Sequence, residues 1–132
     1  MSSSKQLATI LVVDDNDPVR YATSHFVRGA GFQVCIATTA AGALAIVRTL
    51  NERIGVIVTD HLMPGSSGAD LVRQLRQSGL SHPVIVLSGL AEAVGEYDGL
   101  DVIFRTKPLP PAELIELVRS ALAGPSRQGN AA

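Results

Sequence analysis

The sequence predicts an α/β domain built on a parallel sheet, and three observations carry that expectation. Short apolar runs alternate five times with segments of helical periodicity. Three of the runs, residues 8–13, 55–59 and 84–87, are β-branched and apolar on both faces, as strands covered by helices on both sides must be. The chain has 132 residues, which suits one domain rather than two small ones.

The first strand is expected over Ala8 to Val13. The helix after it carries Val19, Ala22, Thr23, Phe26, Val27 and Ala30 at three/four spacing, with Asp17 as its cap, Pro18 at its first position and Gly31 beyond its end. Gln33 to Ala37 gives the second strand. Ala40, Ala43, Leu44 and Val47 give a helix capped by Thr38 or Thr39. The third strand covers Gly55 to Thr59, and the helix after it presents Leu71, Val72 and Leu75 before stopping at Ser78-Gly79. The fourth strand is Val84 to Leu87. Leu90 to Leu100, with two glycines and three acids, supports one or two helical turns at most. Val102 to Phe104 is the fifth strand. Leu114, Leu117, Val118, Ala121 and Leu122 make the last helix, between Pro110-Pro111 and Gly124-Pro125. Residues 1–6 and 124–132 lack periodicity and read as flexible ends around a folded domain at 7–123.

Composition excludes several classes. Eleven basic against 12 acidic residues give a net charge of −1, without the basic stripe of a nucleic-acid or anionic-membrane binder. Cys35 is the only cysteine, so there is no internal disulfide or cysteine-ligated metal site, and it reads as a small core residue. No apolar run reaches the ~20 residues of a membrane span, and no signal-type segment opens the chain, so a cytoplasmic location is expected. His25, His61 and His82 do not share a face at metal-ligand spacing and read as surface or structural residues. Phe26, Phe32 and Phe104 read first as core rings.

Ligands in such open sheets sit at the carboxyl ends of the strands. The first strand ends in Asp14-Asp15, the third in Asp60 and the fourth in Ser88, and the fifth is followed by Thr106-Lys107-Pro108. Three neighbouring carboxylates repel one another unless a cation neutralises them. All-oxygen ligation favours a hard ion, Mg²⁺. Of the 11 basic residues only Lys5 and Lys107 are lysines. A lysine beside Mg²⁺ and a hydroxyl supplies what the three oxygens of a phosphoryl group need. No P-loop or Gly-rich dinucleotide fingerprint is present, so the phosphoryl group belongs on the protein, with an aspartate as acceptor. Asp60, before the turn His61-Leu62-Met63-Pro64-Gly65, is the expected acceptor. Asp15 would hold the ion directly, and Asp14 directly or through water.

In these segments the chain resembles the receiver domains of two-component response regulators. The resemblance rests on Ile10 to Asp15, Val58 to Gly65, Val86 to Gly89 and Thr106-Lys107-Pro108, in that order, and spans about Leu7 to Ala123. It implies a flavodoxin-like, doubly wound, five-stranded parallel sheet of order 2-1-3-4-5. It implies Asp60 as phosphoacceptor, with a histidine kinase or histidine phosphotransferase as donor. Asp14, Asp15, Asp60 and the backbone carbonyl of Leu62 would hold Mg²⁺. Ser88 would be the switch hydroxyl, Lys107 the ion-pair partner of the phosphoryl group, and Phe104 the aromatic that turns inward.

Two departures stand out. The stretch from Ser88 to Lys107 is shorter than in most receivers, which makes the fourth helix short or irregular and resembles receivers of hybrid histidine kinases. Ser66-Ser67 stands where relatives often carry Met-Asp, and reads as a local loop change. Two other functions share some of these residues. One is an aspartyl-phosphate phosphatase of the haloacid dehalogenase kind, for whose cap domain the chain has no room. The other is a receiver-fold adaptor without the chemistry, against which the intact residue set argues. The expected function is a phosphoryl-accepting module, not an enzyme beyond assisting its own phosphotransfer. Only residues 124–132 follow the last helix, so the signal is expected to pass to a noncovalent protein partner. Leu62 and Leu90 offer no polar group to orient water, so slow self-dephosphorylation is expected.

Overall fold

A computed structural model of the protein describes residues 8–123, so the flexible ends expected at 1–6 and 124–132 lie outside the described residues. Five strands, β1 (Thr9–Val13), β2 (Gln33–Ala37), β3 (Ile54–Asp60), β4 (Val84–Ser88) and β5 (Ile103–Thr106), pair in parallel in the order β2-β1-β3-β4-β5. Among the described residues four α-helices connect and close them: α1 (Asp17–Gly29), α2 (Ala40–Leu50), α3 (Gly68–Gln77) and α4 (Pro111–Ala123). This is the doubly wound flavodoxin-like architecture expected from the alternation and the motifs.

Alternation along the strands divides the core in two. Leu11, Val13 and Ile57 pack with Ala43, Leu44 and Val47 of α2 and with Leu71 and Leu75 of α3. Ile10, Val12, Val56, Val58 and Ile85 pack on the opposite face with Val27 of α1 and with Leu114 and Val118 of α4. Arg76 at the end of α3 ties the amino-terminal edge together. Its guanidinium donates to the carbonyls of Leu80, His82, Leu100 and Asp101, bracing the segments that enter β4 and β5.

Local details correct several expectations. The cap of α1 is Asn16, not Asp17: the Asn16 side chain accepts from the Val19 amide, and Asp17 is the first helical residue, where its charge complements the helix dipole. Thr39 rather than Thr38 caps α2, accepting from the Gly42 amide. Ser67 is more than a loop change. It forms a capping box with Asp70, each accepting the other's backbone N–H, and the Ser67 N–H holds the Asp70 carboxyl below the usual carboxylate range. Cys35 is half-buried against the α2/α3 core. Phe26 is 44% exposed instead of buried, because α1 sets Ser24 and Val27 against the sheet. Phe26, Val19 and Ala22 line an open groove of about 330 Å³ facing Leu109 and Leu114.

Ser24 is 2% exposed and its hydroxyl has no hydrogen-bond partner among the described residues. Ser24→Ala removes an unsatisfied group and installs the best helix former, so it should stabilise the domain by about 1 kcal/mol, read as a higher urea midpoint at unchanged m-value.

Candidate functional site

The site lies at the carboxyl ends of β1, β3, β4 and β5. Asp14 follows β1 and is only 5% exposed, Asp15 is exposed, and Asp60 ends β3 with its side chain 13% exposed. One carboxylate oxygen from each of the three lies within 4.8 Å of the others, a spacing that suits a divalent cation. Asp14 is oriented by its Oδ1, which accepts the Asn16 amide at 2.9 Å, and by Arg20, whose Nη1 donates to its backbone carbonyl at 3.1 Å. Arg20 also pairs with Asp17 at 2.7 Å, which fixes the first turn of α1 against the acidic loop.

Lys107 follows β5 and reaches Asp60: its Nζ stands 2.9 Å from Asp60 Oδ1. The same oxygen accepts the His61 backbone N–H at 3.0 Å. The strand ends are held by the main chain as well, since the Lys107 amide donates to the Ser88 carbonyl at 2.8 Å and the His61 amide to the Leu87 carbonyl at 3.0 Å. Ser88 is buried, and its hydroxyl is turned toward Leu90. It accepts the Leu90 amide at 2.9 Å and donates to the Leu90 carbonyl at 3.2 Å. Leu62 is 58% exposed beside Asp60 in sequence. The Phe104 ring is half-buried and packs on Tyr97, with centroids 5.6 Å apart. Asp14, Asp15, Asp60 and Lys107 are thus brought together, whereas the Ser88 hydroxyl and Phe104 face neighbouring elements.

Sequence reasoning missed three residues. Arg20 left no signal beyond its place in the first helix. His61, expected to be surface or structural, is 3% exposed, and its Nδ1 shares a hydrogen bond of 2.7 Å with the hydroxyl of Tyr97. Tyr97 ends the 3-10 segment Ala91–Tyr97, the short helical stretch expected between Leu90 and Leu100. Burial of its ring pushes its hydroxyl pKa well up.

Burial, with the nearby Asp60 and Asp15 charges, raises the Asp14 carboxyl above the usual carboxylate range, against the lowering effects of the Asn16 amide and Lys107. A carboxyl whose folded pKa is raised contributes stability below its unfolded pKa and loses it as pH rises through the folded value. Above its folded pKa the ionised Asp14 therefore destabilises the metal-free domain. Asp14→Asn keeps an acceptor for the Asn16 amide and should raise the melting temperature in EDTA. That gain should shrink as the pH is lowered through the carboxylate range, and it should disappear when Mg²⁺ is added at neutral pH. Thermal melts of both proteins across that grid check it.

The model of the response regulator receiver domain matches residues 10–119. The chain is similar to the phosphate regulon transcriptional regulatory protein PhoB of Pseudomonas aeruginosa, 31% identical over 119 residues that cover 86% of this chain and 51% of that protein. It is also similar to the response regulator protein TodT of Pseudomonas putida, 33% identical over 132 residues covering 97% of this chain and 57% of that protein. The chain spans about half the length of these curated relatives. Among solved structures, a response regulator receiver domain protein from Clostridium thermocellum superposes with TM-score 0.84 at 25% identity, over 92% of this chain and 99% of that one. The receiver domain of the hybrid histidine kinase CckA does so with TM-score 0.74 at 30% identity, over 87% and 99%. Among the described residues no helix is long and apolar enough to cross a membrane.

Proposed function

The chain belongs to the response regulator receiver domain family, and on that premise we propose that it accepts a phosphoryl group on Asp60 from a phosphohistidine of a partner kinase or phosphotransferase. A carboxylate oxygen of Asp60 attacks phosphorus, the P–N bond breaks, and the imidazole nitrogen leaves with the electron pair. Asp14, Asp15 and Asp60, with the backbone carbonyl of Leu62, would hold Mg²⁺, which supplies charge neutralisation for the incoming group. Lys107 takes one phosphoryl oxygen. The Ser88 hydroxyl leaves its contacts with Leu90 to take another, and Phe104 repacks in response. The reading further assigns a cytoplasmic signalling module rather than an enzyme, with an unidentified protein receiving the signal.

The observation that carries this reading is the convergence of three carboxylates, one of them ion-paired to Lys107 at 2.9 Å, on one edge of the sheet. A dehalogenase-like phosphatase would use Asp17 as a free acid two positions after Asp15, but Asp17 is held by Arg20 in the first turn of α1. Incubation with acetyl phosphate tests the proposal: intact mass should rise by one phosphoryl group with Mg²⁺ and stay unchanged in EDTA. No uptake in the presence of Mg²⁺ would sink it. Because Leu62 and Leu90 expose only aliphatic side chains, the phosphorylated form should persist for minutes or longer, and loss within seconds would contradict that part.

A further inference from the structure

His61 and Tyr97 form a buried polar pair that the proposed phosphotransfer does not use. Their side chains come from positions 36 apart in the chain, yet both residues are less than 5% exposed and share a 2.7 Å hydrogen bond. Their rings pack edge-on at 5.5 Å, and Tyr97 leans in turn on Phe104. The niche is built tightly. A Cβ on Gly68 would lie 2.7 Å from the Tyr97 hydroxyl, so only glycine at that position leaves room for it. His61 Nε2 lies 3.5 Å from Glu96, the residue before Tyr97.

One end of this pair is in direct contact with the site. The His61 backbone N–H donates to Asp60 Oδ1, and its carbonyl accepts the Gly68 amide at 2.8 Å, so the imidazole is fixed relative to the carboxylate. The other end holds a weakly built element. The segment Ala91–Tyr97 has no side-chain cap, contains Gly95, and buries only Ala93 and Tyr97, while Val94 is 50% exposed. Isolated 3-10 segments of this kind have poorer hydrogen-bond geometry than an α-helix. Tyr97, with Ala93, therefore anchors this short segment against the domain.

We propose that Tyr97 is a positioning residue: its hydrogen bond holds the side chain of His61, whose backbone N–H is shared between the Leu87 carbonyl and Asp60 Oδ1, and through this residue the state of Asp60 sets the position of the segment Ala91–Tyr97. Coupling between two sites is reciprocal. If anchoring Tyr97 orders the Asp60 carboxylate, then a phosphoryl group that draws on the His61 N–H must bias Tyr97, and with it the exposed Val94. The inference rests on the reading of Asp60 as phosphoacceptor.

The test uses beryllium fluoride with Mg²⁺ as a mimic of aspartyl phosphate, with binding followed by fluorine NMR and backbone hydrogen exchange measured over residues 91–97. In the wild type, binding should change exchange in that segment by about tenfold. Tyr97→Phe, which keeps the ring and its packing, should bind the mimic but change by less than about twofold. His61→Leu should repeat that loss from the other side, and His61→Gln, whose amide can partner the hydroxyl, should restore the response. A Tyr97→Phe protein that responds like the wild type overturns the proposal, as does a wild type that binds without any change in 91–97. A wild type that does not bind the mimic overturns the phosphoacceptor reading itself and the coupling with it.

Discussion

Asp60→Asn should abolish phosphoryl uptake from acetyl phosphate, lowering the rate by at least about a thousandfold, because an amide offers no carboxylate oxygen to attack phosphorus. The substitution is nearly isosteric and leaves an acceptor for the His61 N–H, so the fold should persist. The metal-free variant should in fact melt higher than the wild type. Asp60 is one of the charges that raise the Asp14 carboxyl, and removing it relieves that repulsion. A variant that is inactive and more stable in EDTA separates loss of chemistry from loss of structure. Intact mass and thermal melts on the same samples give both readings. Lys107→Ala is the informative contrast: it keeps the nucleophile but removes the ammonium 2.9 Å from Asp60 Oδ1, so uptake should slow by about a hundredfold without vanishing. Residual labelling of Asp60→Asn at the wild-type rate would place the acceptor elsewhere.

The residues behind this prediction are legible in the chain because strand ends are legible. Asp14, Asp15, Asp60 and Lys107 each follow an apolar run, and the parallel topology brings those ends to one edge. What lies between the ends is less legible. Asn16 and Asp17 are both good caps, and sequence alone does not say whether Pro18 stands first or second in the helix. The expected stripe of α1 runs through Val19, Ala22, Thr23, Phe26, Val27 and Ala30, and Val27 is buried as expected. The helix is turned so that Ser24 joins Val27 against the sheet, which leaves Val19 and Phe26 in the groove beside α4. Ser67 carried a readable signal, with Asp70 three positions on, but relatives drew attention to the loop instead of the cap. The pairing of His61 with Tyr97 left no local trace. It depends on a long-range approach that neither periodicity nor composition encodes, and the glycine that permits it sits in a third segment.

That glycine gives the second large effect. Gly68 is the first residue of α3, just after the Ser67 cap. Helix propensity alone would favour alanine there by up to about 1 kcal/mol. Sterics oppose it: an alanine Cβ would meet the Asp60 backbone carbonyl oxygen at 2.7 Å and the Tyr97 hydroxyl at 2.7 Å, with His61 Cα at 3.3 Å. The hydroxyl belongs to a side chain and can retreat, at the loss of its bond to His61. The carbonyl cannot, because Asp60 is the last residue of β3 and its neighbours are fixed by the Leu87 and Gly68 pairings of His61. Overpacking of this kind costs typically 1–3 kcal/mol, so the clash outweighs the propensity gain, and Gly68→Ala should destabilise the domain by about 2 kcal/mol. Urea denaturation decides the sign, since a rise in stability would mean that α3 simply shifts outward. Uptake of the phosphoryl group should slow as well, because the displaced carbonyl moves the acceptor carboxylate. Combining Gly68→Ala with Tyr97→Phe removes one of the two collisions. The double variant should therefore be more stable than the sum of its parts predicts, and the stability it still lacks measures the collision with the Asp60 carbonyl.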